Sequence, residues 1–355
     1  MVAAADDRPW HVRTVFLSSE DLAPPAWTGG DPRSCLMFNP AIVRFKNRLL
    51  LAYRVAPPDR RRRIAVCALD PQSLTARRET VVPLSDFIPE GSHWQGDPRF
   101  FVFNERLFLH YNTGEVSLPN QIYLVELDAD DLRPIGRAQS LELDGPRQPS
   151  EKNWLLFEHD GRVHAVYYPA PQVILTVDWK SGGALSCRRA FRTDWDASSY
   201  ISKYGTPHGG APPVRIGDRY SAFFNSSFRM RTPSGGHSPE IHGSEEQTPA
   251  GTIRYVSGYY EFAAEPPFAP LRFIPRPVLT PVPYLRPGHS DPLCADFEGV
   301  VYTSGAVRQN GHWLVSHGLF HRHCCLSILR HEDLVAACED TGPLAPGASK
   351  IGEDS

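Results

Sequence analysis

Gly96-Asp97-Pro98-Arg99 runs directly into Phe100-Phe101-Val102-Phe103-Asn104-Glu105-Arg106-Leu107-Phe108-Leu109-His110-Tyr111. A proline ring fixes its own φ and restricts the residue before it, so the Asp97 carboxylate is held at a defined backbone angle. The stretch that follows reads as a strand, a tight turn at Asn104-Glu105 and a second strand. Asp97 therefore sits where a loop enters a β-hairpin, a place where side chains are held rigidly yet stay reachable. A lone Asp-Pro is more often a turn cap than a functional group. This one differs because the same design occurs five times.

Asn39-Pro40 opens one copy, which turns at Lys46-Asn47-Arg48 and returns as Leu49 to Arg54. Asp97-Pro98 opens the second. Lys152-Asn153-Trp154 opens the third, with a turn at His159 to Arg162. Gly209-Gly210-Ala211-Pro212-Pro213-Val214 opens the fourth, with a turn at Gly217-Asp218-Arg219. Gly299 to Val307 opens the fifth, which turns at Gln309-Asn310-Gly311 and continues through Gly318. The first four anchors, at 39, 97, 153 and 211, are 58, 56 and 58 residues apart, and a polar insert, Arg231 to Gly251, delays the fifth. Strand-turn-strand units at this period are the signature of a β-propeller, here five-bladed. Blades are radial, so Asn39, Asp97, Lys152-Asn153, His208 to Gly210 and the His317 to His321 region are expected to converge on one axis. The lead-in Met1 to Gly30 is expected to close the ring by pairing with the last blade. One domain, residues 1–338, and a mobile polar tail, residues 339–355, complete the expected organisation.

Composition restricts the function. At 355 residues and 41% hydrophobic content there is ample material for a core, and a net charge of -3 argues against nucleic acid as partner. No apolar run is long enough for a membrane span and the N-terminus lacks a signal-peptide core, which points to a cytoplasmic protein. Arg60 to Arg63 reads as a solvated loop beside Pro57-Pro58-Asp59, with a phosphate-binding role as the alternative. Seven cysteines without a CxxC pair make neither a disulfide framework nor a zinc site. Cys324 and Cys325 fall on a strand and should point to opposite faces. No metal is expected. Trp154 reads first as core. Tyr53 and Trp94 read as packing near the site, and Glu240, His242, Glu245 and Glu246 as solvated insert residues that could supply a base.

The ordered set FNPA…YR, GDPR, EKNW, GGAPP, YVSGYYEF and VVYTSGAV…SHGL resembles the five-bladed propellers of glycoside hydrolase family 130, mannoside phosphorylases and β-1,2-mannosidases, with their related β-mannosyltransferases. The resemblance spans roughly Asn39 to Leu334. It implies that Asp97 is the general acid, that Asn39 and Arg54 bind sugar, and that Lys152 lies beside inorganic phosphate. Arg99, Asn153, His208 and His321 complete the expected substrate-binding set. Two departures stand out. Gly318-Leu319-Phe320-His321 occupies the place of a Gly-x-x-Asp motif, and Asn120-Gln121 and Asn225 stand where the phosphorylases carry arginine and histidine.

The expected function is cleavage or transfer of β-linked mannoside-like glycosides. The substrate is an oligosaccharide or glycoside, and there is no cofactor beyond inorganic phosphate as a co-substrate if the reaction is phosphorolysis. Oligomeric state stays open. The competing readings are a furanoside-acting propeller hydrolase, which would need two or three channel carboxylates, and a non-catalytic glycan- or protein-binding propeller.

Overall fold

The computed structural model describes residues 8–91, 94–114, 120–148, 151–179, 183–230, 238–239, 252–282, 297–342 and 349–350. Strand β1 (His11–Phe16) and a short helix α1 (Ser19–Leu22) lead in, followed by β2 (Leu36–Phe45), β3 (Arg48–Ala56) and β4 (Arg63–Leu69). Next come β5 (Gln95–Phe103), β6 (Arg106–Thr113), β7 (Gln121–Leu127) and β8 (Pro134–Leu143). The third group is β9 (Leu155–His159), β10 (Arg162–Pro169), β11 (Gln172–Val177) and β12 (Leu185–Thr193), before helix α2 (Ser198–Tyr204). The fourth is β13 (His208–Ile216), β14 (Arg219–Met230), the two-residue β15 (Ser238–Pro239), β16 (Thr252–Ala263) and β17 (Pro270–Phe273). The last is β18 (Phe297–Gln309), β19 (His312–Leu319) and β20 (His323–Arg330), ending in α3 (His331–Ala336). The fold is predominantly β, as expected from the sequence.

Within each group consecutive main strands pair antiparallel, which makes five meanders among the described residues. Short parallel contacts between β8 and β12, and between β16 and β18, join neighbouring meanders at their edges. β1 pairs antiparallel with β20, so the N-terminal strand completes the fifth meander. The hairpins turn where the sequence placed them. Asn104 and Glu105 (φ 50 and 58), Asp160 and Gly161 (48 and 68), and Asn310 and Gly311 (48 and 74) all have positive φ. That backbone matches the twist of two-residue hairpins.

The inner strands are buried on both faces, which explains runs such as Leu49-Leu50-Leu51. Leu50 packs with Ala41, Phe100 and Leu109 between the first and second meanders. Leu49 and Leu51 face the other way, onto Cys324 and Leu326 of the fifth. Phe101, Phe108, Trp154 and Tyr167 fill the space between the second and third meanders. Leu155, Ile174, Tyr220 and Phe224 fill that between the third and fourth. Phe223, Tyr259, Val301 and Trp313 do so between the fourth and fifth. Five apolar layers thus link five meanders in a closed cycle. The first strands close the same cycle, β2 on β5, β5 on β9, β9 on β13, β13 on β18 and β18 on β2.

Three expectations are corrected. In the fifth meander the counterpart of the anchors is Thr303 to Gly305 on β18, because the pairing slips there as it does after Asn39 and Asp97. His317, by contrast, is wholly buried and bonds Ser327 at 2.9 Å. Arg62 of the supposed solvated loop turns inward. In the tail, Glu339–Asp340 pairs with β17 and Ser349–Lys350 with β12, so these residues extend sheets.

Candidate active site

The first strands are kinked where they meet. Register slips lie between Phe38 and Ala41, Gly96 and Arg99, Gly209 and Ala211, and Thr303 and Gly305. A bulge re-aims the side chain at its extra residue. Asn39, Asp97 and Asn153 sit at these kinks or their equivalent with φ of 49, 50 and 65, in the left-handed region that Asn and Asp tolerate best. Repetition of one backbone device in three meanders is what brings three polar side chains, far apart in sequence, to one place.

There Asn39 Nδ2 donates to Asp97 Oδ1 at 2.8 Å, and Arg54 Nη1 reaches the same oxygen at 3.1 Å. Gly96 makes room for this, since a Cβ there would lie 3.2 Å from the Arg54 Cζ. Asp97 is 9% exposed. Burial by itself pushes its carboxyl up, but the Arg54 and Arg99 charges, the Asn39 hydrogen bond and the Lys152 charge outweigh it. The pKa lies below the ordinary carboxylate value, so Asp97 is ionised at neutral pH. A buried carboxylate held among cations can accept a proton from a hydroxyl, and can return it once protonated.

Arg99 has a different task from the expected one. It is 1% exposed, and its guanidinium donates to Gly210 O (2.7 Å), Gly209 O (3.2 Å), Asp97 O (3.1 Å) and Asn153 Oδ1 (3.2 Å), with Tyr302 Oη at 3.4 Å. Those bonds tie four first strands together beneath the site. Gly209 permits the closeness, because a Cβ there would fall 1.9 Å from Asn153 O. Asn153 also accepts from Tyr302 Oη at 2.6 Å. Tyr302 lies beside His208, ring centroids 6.2 Å apart, and Tyr255 stands 6.1 Å from Tyr302.

Lys152 is exposed, with its charge acting on Asp97. His321 is half-buried and leans on Phe38, 5.4 Å between centroids. Arg54 lies over the same Phe38 ring at 5.1 Å and over Trp94 at 4.5 Å. Trp154 is core, 1% exposed, with its indole N–H on Glu151. Asn225 is fully buried and stitches β14 to Thr303 through its amide, so it faces no ligand. Cys324 and Cys325 fall in different apolar layers, as alternation requires. The insert residues Glu240, His242, Glu245 and Glu246 lie outside the described residues.

No protein-family model and no curated protein matches the sequence. Solved structures do match in fold. A β-1,2-mannobiose phosphorylase from Listeria innocua, solved with β-1,2-mannobiose, superposes with a TM-score of 0.58 at 12% identity, over 92% of this chain and 99% of that one. A GDP-Man-dependent mannosyltransferase from Leishmania mexicana gives 0.59 at 11% identity, over 91% of each chain. A structure from work on the GH130 family of mannoside phosphorylases, which reports hydrolases of β-1,2 mannosidic linkages in Candida mannan, gives 0.58 at 12%, over 96% of each. The likeness is one of fold.

The sequence did not single out Tyr302, nor Arg62 within its basic run. Tyr302 lies in the VVYTSGAV stretch but had no distinguishing neighbour. Arg62 had a legible signal, since Ile64, Val66 and Ala68 face the layer shared with the second meander, and stepping back by two places Arg62 on that face. Its guanidinium lies 5.8 Å from the Phe38 ring centroid. Burial first, then the Arg54 charge, lower its pKa to about 10.

Proposed function

We propose that the five meanders are the blades of a five-bladed β-propeller, a single domain that takes in the tail residues paired with β17 and β12, and that the chain is a carbohydrate-active enzyme acting on β-linked mannoside-like glycosides. Asp97 moves the proton at the glycosidic oxygen. The observation that carries this reading is the Asn39–Asp97–Arg54 cluster, a reachable carboxylate held by two polar groups where all first strands meet. The likeness to structures of a mannobiose phosphorylase and a mannosyltransferase supports the same class.

In cleavage the Asp97 proton goes to the glycosidic oxygen, directly or through a sugar hydroxyl, as the anomeric C–O bond breaks with its electron pair leaving on oxygen. A phosphate oxygen then bonds to the anomeric carbon to give the sugar phosphate, or water does so and releases a proton to solvent, from which Asp97 is protonated again. In transfer the ionised Asp97 takes the proton of the attacking hydroxyl as that oxygen bonds to the anomeric carbon, and the donor's anomeric C–O bond breaks with its electron pair leaving on the phosphate or nucleoside diphosphate. Asn39 and Arg54 orient the sugar, Lys152 and His208 line the approach, and Arg99 with Asn153 fixes the frame. A site of two or three carboxylates is less well supported. Glu151, on the approach to β9, accepts from Gln148 N, Trp154 Nε1 and Tyr167 Oη and is 2% exposed. A reducing, cytoplasmic setting belongs to the reading, in keeping with five buried free cysteines among the described residues.

The test is product analysis on β-1,2-mannobiose and related β-mannosides, with and without inorganic phosphate, and on mannose 1-phosphate or GDP-mannose with mannose as acceptor. Phosphate-dependent release establishes phosphorolysis, phosphate-independent release hydrolysis, and product formed from the activated donors transfer. No product under any condition, with the protein folded, rejects the enzyme reading.

A further inference from the structure

Arg60 to Arg63 holds four consecutive cations, and the structure gives them different surroundings. Arg63 pairs with Asp59 at 2.6 Å and lies over Trp27, while Arg60 and Arg61 are exposed at the turn. Arg62 alone is drawn in toward the site. Its backbone is pinned there: its carbonyl accepts from Gln95 N at 3.0 Å, and it bridges Trp94 in parallel, immediately before Gly96-Asp97. Its guanidinium and that of Arg54 share one face partner, Phe38.

The charge count at this place is uneven. Among the described residues Asp97 is acted on by Arg54, Arg99 and Lys152, and Arg62 stands with them. Asp97 Oδ1 already takes Asn39 and Arg54. Arg62 Nη1 and Arg54 Nε are both buried without a hydrogen-bond partner among the described residues. Like charges brought this close repel, and buried guanidinium N–H groups left unmet are costly. An oxyanion answers both problems at once, since planar guanidinium forks match carboxylate and phosphoryl oxygens two at a time. A neutral sugar hydroxyl would satisfy the N–H groups but leave the charge.

We propose that Arg62 and Arg54 form a two-guanidinium cradle that holds an oxyanion of the substrate or co-substrate beside Asp97. The proposal rests on Asp97 being the reacting group. It adds a consequence for the chemistry. An anion seated on these arginines offsets the charges that keep Asp97 ionised, so binding it favours the protonated carboxyl that cleavage requires.

The experiment measures binding to the full chain by calorimetric titration, with four probes: inorganic phosphate, mannose 1-phosphate, glucuronic acid, and neutral β-1,2-mannobiose. At least one oxyanion is expected to bind wild type, and Arg62→Ala to weaken it by about 10- to 100-fold, the effect of losing a charged hydrogen-bond partner. Arg62→Lys is expected to recover part of the loss. Phosphate binding alone marks a free co-substrate, binding of mannose 1-phosphate without phosphate marks a substrate-borne group, and glucuronate binding marks a carboxylate. In parallel, the bound probe should protect Arg62 of the unmutated protein from phenylglyoxal, read by mass spectrometry, which keeps the test decisive if a variant does not fold. The cradle is overturned if no oxyanion binds wild type up to about 10 mM, if Arg62→Ala binds equally well, or if the probe leaves Arg62 unprotected. Neutral mannobiose separates the two claims. If it binds while oxyanions do not, the sugar site stands and the cradle fails, and if nothing binds, both fail.

Discussion

Replacing Asp97 by Asn tests the site through two readouts that a turn cap would leave alone. The side chain keeps its size and an oxygen for Asn39 and Arg54, but it loses the charge and the transferable proton. The Arg54–Asp97 pair is 3.1 Å long with side chains only 10% and 12% exposed. Breaking a buried pair by removing one partner costs about 3–5 kcal/mol. With ~2.1 cal/mol/K per residue of unfolding entropy, 355 residues give about 0.75 kcal/mol/K, so the melting temperature should fall by about 4–7 °C. A turn-capping Asp replaced by Asn, itself a good turn residue, would lose almost nothing. The pH dependence has a definite sign. The folded pKa of Asp97 is depressed below 3.8, so its stabilisation is present above that value and lost as pH falls through the folded pKa. The gap between wild type and variant should stay level from pH 6 to 8 and close below about pH 4. Turnover should fall by about 100- to 10,000-fold, the usual contribution of a proton-transferring group. Calorimetry across pH and product release from β-1,2-mannobiose measure both. A melting temperature within 1 °C of wild type together with near-native turnover would refute the reasoning.

Two further outcomes follow from the packing. Burial lowers His317 to about 3 and His164 to about 4, while an unfolded histidine titrates near 6.5. Stability should therefore be full above pH 6.5 and fall as pH drops toward 4. His317→Gln, which keeps a bond to Ser327, should flatten that slope in denaturant titrations at pH 7 and 5, and an unchanged slope would contradict the assignment. Gly209→Ala would put a methyl 1.9 Å from the Asn153 carbonyl, a backbone atom that cannot swing aside. A loss of about 1–3 kcal/mol, seen as a lower denaturation midpoint, is expected from such overpacking, and native stability in that variant would mean the first strands are not so closely apposed.

What was legible in the sequence is what neighbours a few residues apart encode. The alternating apolar residues, the turns at Asn104-Glu105 and Asn310-Gly311, and the recurring anchors Asn39, Asp97 and Asn153 each follow from local chain geometry. They were enough to give the five meanders and their common meeting point. Which charges surround Asp97 is set by partners remote in sequence. Arg54 is 43 residues from Asp97, and Arg99 reaches Gly210 across 111. The GDPR stretch alone shows two side chains that could each bind a substrate. The folded chain gives one of them, Arg99, to the frame and leaves the other, Asp97, with 12% of its side chain exposed. It draws Arg62 out of an apparently solvated run, since the strand it leads into faces the second meander. It also decides the ionisation of Asp97, because burial, three cations and the Asn39 hydrogen bond act on that carboxyl together, and their balance exists only once the ring of first strands has closed.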